Sequence, residues 1–224
     1  MNLFFDCEFN GLRKDTTLIS LGIVSENGKK FYAEFIDFNW RYVDDWIQKN
    51  VLDNFILDKF YPTGEISSLD EQVGKWKQKG YEVSTFPTMN TEYLLFETKR
   101  TKNDFTEVVG DSNWIREALL EWLSQFDSIQ FVSDVCHYDF VLLIDFLTVG
   151  KTALDLPNNI SAVCHDINSD IVRHYGISER EAFDKSREEI VSELCGHEII
   201  GRKHNSLYDA EVIKEIWEEI NAGL

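Results

Sequence analysis

Proline is scarce in this chain, with 3 in 224 residues, and no Ser/Gly-rich stretch accompanies them. Nothing therefore marks a linker, and residues 1–224 are expected to form one domain around one core. Long apolar runs are also missing. None approaches the roughly 20 residues that a bilayer span needs, and the N-terminus has no charged leader, so no membrane partner is expected. Cysteine is sparse: Cys7, Cys136, Cys164 and Cys195 include no C-x-x-C pair. A disulfide framework is excluded for a chain this long, and reduced thiols in the cytoplasm are expected. Positive charge is in deficit, 22 Lys and Arg against 40 Asp and Glu, for a net charge of −18. That balance excludes a protein that coats long nucleic acid with a basic surface. What the chain does have is 43% hydrophobic and 13% aromatic residues, enough for a packed globular fold rather than disorder.

The hydrophobic patterning predicts three strands in succession. Leu3 to Phe9 reads as a buried strand, Leu18 to Val24 as a second, and Lys30 to Phe38 as a third, with the Asn27-Gly28 turn signal between the last two. Tyr42 to Phe60 shows helical spacing, with Trp46, Val51, Leu52 and Phe55 as inward candidates. Residues 61–105 are polar and irregular and read as an elaborated connection. Trp114 to Phe126 is an amphipathic helix capped by Asp111 or Ser112. A strand at Ser128–Ser133 and a helix at Tyr138–Leu147 follow. A short strand near Ile160–Val163 and helices at Asp166–Tyr175, Glu179–Cys195 and Ser206–Asn221 complete the chain. This order suits an α/β fold, a mixed β-sheet flanked by helices.

Asp6 and Glu8 lie two residues apart in the first strand, so their side chains share one face. Two carboxylates side by side among Phe4, Phe5, Cys7 and Phe9 repel each other and resist desolvation unless a cation joins them. A strand edge with one solvated face is the plainer explanation. His204 and Asp209 open the last helix, where a Ser206–Asp209 capping box would account for the acid but not for the histidine. Asp139 stands at the start of a helix otherwise full of Phe140, Val141, Leu142, Leu143 and Ile144. Asp134 competes with it from the strand end; Asp139 is preferred.

Asp-x-Glu on the first strand, Tyr138-Asp139 in the middle and His-x4-Asp near the C-terminus, in that order, resemble the motifs of the DEDDh 3′–5′ exonucleases. The opening Phe4-Phe5-Asp6-Cys7-Glu8-Phe9, with Ile19-Ser20-Leu21-Gly22-Ile23-Val24 and with Trp46, Val51 and Leu52 in the first helix, is similar to the small mycobacterial-type 3′–5′ exoribonucleases. The resemblance spans nearly the whole chain, with residues 61–105 least covered. It implies an RNase H-like sheet, two Mg²⁺ or Mn²⁺ ions, and release of nucleoside 5′-monophosphates from the 3′ end of single-stranded RNA or DNA. It further implies that Asp6 bridges both ions, that Glu8 and Asp209 complete the nucleophile-side site, and that Asp139 holds the second ion through water. His204 would be the general base, Phe9, Asn10 and Leu12 would contact the terminal nucleotide, and the chain would form a homodimer. One departure stands out: many relatives carry an Asn several residues before the middle Asp, where this chain has Ser133 and Asp134.

Other signals are weaker. Gly150-Lys151-Thr152 lacks the first glycine of a phosphate loop and reads as a helix end. Cys164-His165-Asp166 and Cys136-His137 place neighbours pointing apart, which does not suit thiol catalysis or a soft metal. Three rival readings remain open: a DNA exonuclease of the same architecture, a non-catalytic nucleic-acid-binding module, and an acidic interaction protein.

Overall fold

The alternation along Leu3–Phe9 is realised in a computed structural model that describes residues 1–57, 69–87 and 94–222. Strands β1 (Asn2–Phe9), β2 (Leu18–Ser25) and β3 (Lys30–Phe35) form the expected antiparallel meander, with Asp6 opposite Gly22 and Glu8 opposite Ser20. On the β3 side the sheet continues through β4 (Glu82–Pro87), β5 (Leu94–Lys102) and β6 (Phe105–Gly110). On the β1 side it continues through β7 (Gln130–Ser133) and β8 (His165–Asp166). The order is β4-β5-β6-β3-β2-β1-β7-β8. Within β3-β2-β1-β7-β8 only β2 runs against its neighbours, the RNase H-like mixed arrangement that was expected.

Helices cover both faces: α1 (Asp45–Asn50), α2 (Leu69–Gln78), α3 (Ser112–Leu123), α4 (Cys136–Thr148), α5 (Asn168–Tyr175), α6 (Glu179–Asp184), α7 (Arg187–Cys195) and α8 (Ser206–Asn221). Leu3, Phe5 and Cys7 pack with Ile115 and Leu119 of α3 and Phe140 and Leu143 of α4. Phe4 faces the other way, against Ile171, Ile190, Val212, Ile213 and Ile216. The two-residue period therefore assigns Asp6 and Glu8 to the Phe4 face, the one that α8 covers. Among the described residues no helix is long and apolar enough to cross a membrane.

Several elements differ from the sequence expectation. The helix expected over Tyr42–Phe60 is only α1, flanked by short 3-10 turns at Trp40–Tyr42 and Leu52–Asn54; residues 58–60 lie outside the described part. Asp44 caps α1 by accepting from the Ile47 N–H. Past the second 3-10 turn the chain is no longer helical, and the N–H groups of Ile56 and Leu57 donate to the buried Glu34 carboxylate, each at 3.1 Å. Trp46, expected inside, is 53% exposed. The helix expected over Glu179–Cys195 breaks at Lys185–Ser186, because Ser186 accepts from the Glu189 N–H and starts α7 as a new helix. Near Ile160–Val163 only Ile160 bridges to the sheet, and the strand itself lies later, at β8. The described part of residues 61–105, expected to be irregular, contains α2, β4 and β5. Asn103 and Asp104 both adopt positive φ in the turn from β5 to β6, a turn signal that the pattern of charges concealed.

Candidate metal centre

The close approach of α8 to the sheet begins at Gly22. A Cβ there would lie 2.3 Å from the backbone of Ser206 and Leu207, so only glycine lets the start of α8 rest on β2 beside Asp6. The helix is capped by Asn205, whose Oδ1 accepts from the Tyr208 N–H at 3.2 Å. The capping box expected from Ser206 and Asp209 does not form. Ser206 Oγ instead bonds Ser20 Oγ at 3.0 Å, and Asp209 Oδ2 accepts from the His204 N–H at 2.8 Å. The Asn205 amide donates to Tyr32 Oη and to the Asn54 carbonyl, and Tyr32 Oη donates to Glu34 at 2.9 Å. A buried polar chain thus fixes the segment that carries His204. Sequence reasoning missed it, because Tyr32 and Glu34 carry no local motif.

His204 sits at φ +63, a left-handed conformation uncommon outside glycine and asparagine. Its Nδ1 lies 3.8 Å from Glu8 Oε1, and the Trp46 ring meets it edge-on at 4.9 Å between centroids. The exposure of Trp46 is thereby explained: it walls the histidine rather than filling the core. Asp139, 2% exposed in the first turn of α4, accepts from Ser133 Oγ at 3.1 Å. Ser133, the last residue of β7, thus anchors the Asp139 carboxylate.

These side chains gather into two groups, Glu8 with His204 and Asp209, and Asp6 with Asp134 and Asp139. Within each group one ligand atom per residue lies within 4.8 Å of the others. Asp134, set aside in favour of Asp139, stands beside it while accepting from Arg187 Nε at 2.8 Å. Arg187 in turn donates to the carbonyls of Ala182 and Lys185 and to Asn168, so α6, α7 and α5 all converge on Asp134. No single-sequence signal marks Arg187. Cys195, His197 and Glu215 form a third group, away from this cavity and partly exposed.

The cavity over the two acidic groups measures about 520 Å³. Phe9, Leu12, Tyr138 and Phe183 give it apolar walls, and Lys185, Arg187 and Lys203, each paired with an acid, line it beside the carboxylates. Asn10, expected to contact the terminal nucleotide, does not line it. Asn10 is fully buried, and its amide is spent on Thr17 Oγ1 and the Asn39 carbonyl while its Oδ1 accepts from Thr16 and Thr17. It ties down the loop after β1.

Burial and mutual repulsion push Asp6, Glu8 and Asp139 well above the usual carboxylate range, and Asp209, chiefly through burial, up to about 8. The His204 ring is lowered, first by burial and then by Lys203, against the pull of Glu188. Desolvation outweighs the pull of the nearby carboxylate. A stability prediction follows for the metal-free protein. Folded-state values raised above the unfolded ones, near 4, contribute stability that is complete below about pH 4. That stability is lost as pH rises through the folded values, towards 8 for Asp209. In EDTA, Tm should therefore fall from pH 5 to pH 8, and saturating Mg²⁺ should flatten the decline. A Tm in EDTA that does not change over this range would contradict the repulsive cluster.

No family model and no curated protein matches the sequence. Among solved structures the chain is similar to S. pombe Pop2p in its Mg²⁺- and Mn²⁺-bound form. The two are 16% identical with a TM-score of 0.49, over 99% of this chain and 82% of that one.

Proposed function

We propose that the protein is a metal-dependent 3′–5′ exonuclease that hydrolyses single-stranded RNA to nucleoside 5′-monophosphates. One observation carries this reading: acids from β1, the end of β7, α4 and α8, together with His204, converge on one open cavity although the sequence scatters them from residue 6 to residue 209. The donors are carboxylate oxygens, the set that hard divalent cations take. Asp6, Asp134 and Asp139 would hold one Mg²⁺ or Mn²⁺ ion, and Glu8 and Asp209 a second. Bound there, such ions supply the positive charge that stabilises the attacking and leaving oxygens of an in-line phosphodiester displacement.

The remaining work belongs to the chain itself. With Nδ1 of His204 facing Glu8, Nε2 is the nitrogen free to take a proton from water, and burial keeps the ring neutral for that task. Phe9, Leu12 and Tyr138 offer apolar faces on which unpaired bases can stack. Lys185 and Lys203 line the cavity but pair with Glu193 and Glu188, and the chain carries a net charge of −18, which suits a metal-mediated grip on a short terminus rather than on a long duplex. The preference for RNA over DNA rests on the resemblance of the motifs.

Polarity tests the reading. With Mn²⁺ present, an unmodified single strand should shorten one nucleotide at a time. A 3′-phosphate should block the reaction, and a 5′ block should leave the rate unchanged. Parallel RNA and DNA strands settle the sugar. Cleavage of a circular strand, or indifference to the 3′ block, would overturn exonuclease polarity.

A further inference from the structure

Cys136 and Cys164, 28 residues apart in sequence, bring their sulfurs to 3.0 Å, well inside the contact distance of two non-bonded sulfurs. The topology explains the meeting. Strand β8 pairs with Val132 and Ser133 of β7, and only two residues separate Ser133 from α4, so Cys164 arrives beside the first residue of α4. The Cys136 sulfur is seated further by the carbonyls of Ser133 and His165, at 3.5 and 3.3 Å. Both cysteines are partly exposed, so a small reagent can reach them, whereas Cys7 is buried and Cys195 lies with His197 and Glu215. Sulfurs this close mean that the two side chains already converge. A disulfide would bring them from 3.0 Å to the bond length of about 2.05 Å.

We propose that Cys136 and Cys164 form a reversible disulfide, a covalent modification site beside the carboxylate cavity. The oxidant would be a low-molecular-weight disulfide. A thiolate from one cysteine attacks the reagent, forming a mixed disulfide and releasing one small thiolate. The thiolate of the other cysteine then attacks the protein-bound sulfur and releases the second. The protein loses two protons and two electrons, and the reagent gains the electrons. The new bond ties the first residue of α4, three before Asp139, to the chain entering β8. The 28-residue loop it closes restricts the unfolded chain, so oxidation should raise Tm by on the order of 5–10 °C.

The test incubates the full-length protein with oxidised glutathione and follows it by thiol counting after denaturation, peptide mass mapping and thermal unfolding. Expected are a fall from four thiols to two, a Cys136–Cys164 cross-linked peptide, a higher Tm and full reversal by dithiothreitol. Cys164→Ser and Cys136→Ala should each abolish the cross-link. Glutathione adducts without a cross-link, four surviving thiols, or a cross-link that fails to raise Tm would each overturn the proposal. None of these readouts depends on nuclease activity.

Discussion

Replacing His204 with asparagine should lower turnover by about 10²–10⁴-fold, the usual contribution of a general base, while the gain in Tm on adding Mn²⁺ persists. Asparagine suits the test because the residue holds φ +63, which Asn tolerates and Ala does not. Helix α8 should survive the change, since Asn205 caps it and Asp209 receives only the backbone N–H of residue 204. Loss of rate would then reflect lost chemistry rather than lost structure. The pH profile adds a readout that misfolding cannot imitate. The ring is lowered by burial, so the wild-type rate should rise through a limb below histidine's usual ~6.5 and stay flat at neutral pH, and the variant should lack that limb. A wild-type rate and profile in His204→Asn would remove the histidine from the mechanism.

The strongest sequence signals were those whose meaning is local. Alternation about Phe4, Asp6 and Glu8 assigned both acids to one face, and the helical spacing of α3 and α8 sufficed to locate them within a few residues. Elements that depend on distant partners were not legible. The segment after α1 is held by Glu34, 22 residues before Ile56, and no pattern within 42–60 announces it. Asn10 looked like a substrate contact because it follows Glu8, yet Thr16, Thr17 and Asn39 consume its hydrogen bonds. Asp134 and Asp139 could not be separated by sequence because both belong to one group with Asp6, while Arg187, 53 residues beyond Asp134, orients the first of them. The break at Ser186 was readable in principle, since Ser186 and Glu189 have the spacing of a helix start, but the apolar periodicity runs across it.

Asp6→Asn should also have a large effect. Asp6 has four acids around it, Asp139, Asp209, Glu8 and Asp134, each raising its proton affinity on top of burial. Removing its charge relieves repulsion in the metal-free state, so Tm in EDTA at pH 8 should rise above wild type. The same change removes one oxygen ligand of the group formed by Asp6, Asp134 and Asp139, and its negative charge. A cation that stabilises the reaction by several kcal/mol would be held poorly, and activity should fall by about 10³-fold or more. A purely structural acid would behave in the opposite way, with stability lost and metal response unchanged.

The most direct measurement is a Mn²⁺ titration of EDTA-stripped wild type and Asp6→Asn, following Tm and the shortening of a 5′-labelled single-stranded RNA in the same samples. The expected result is a wild type that is inactive without metal, gains Tm as Mn²⁺ binds and releases mononucleotides over the same concentration range. Asp6→Asn should start more stable, gain little and cut almost nothing. Wild-type hydrolysis that continues in EDTA, or an Asp6→Asn protein with unchanged Mn²⁺ response and rate, would contradict a metal centre built on these carboxylates.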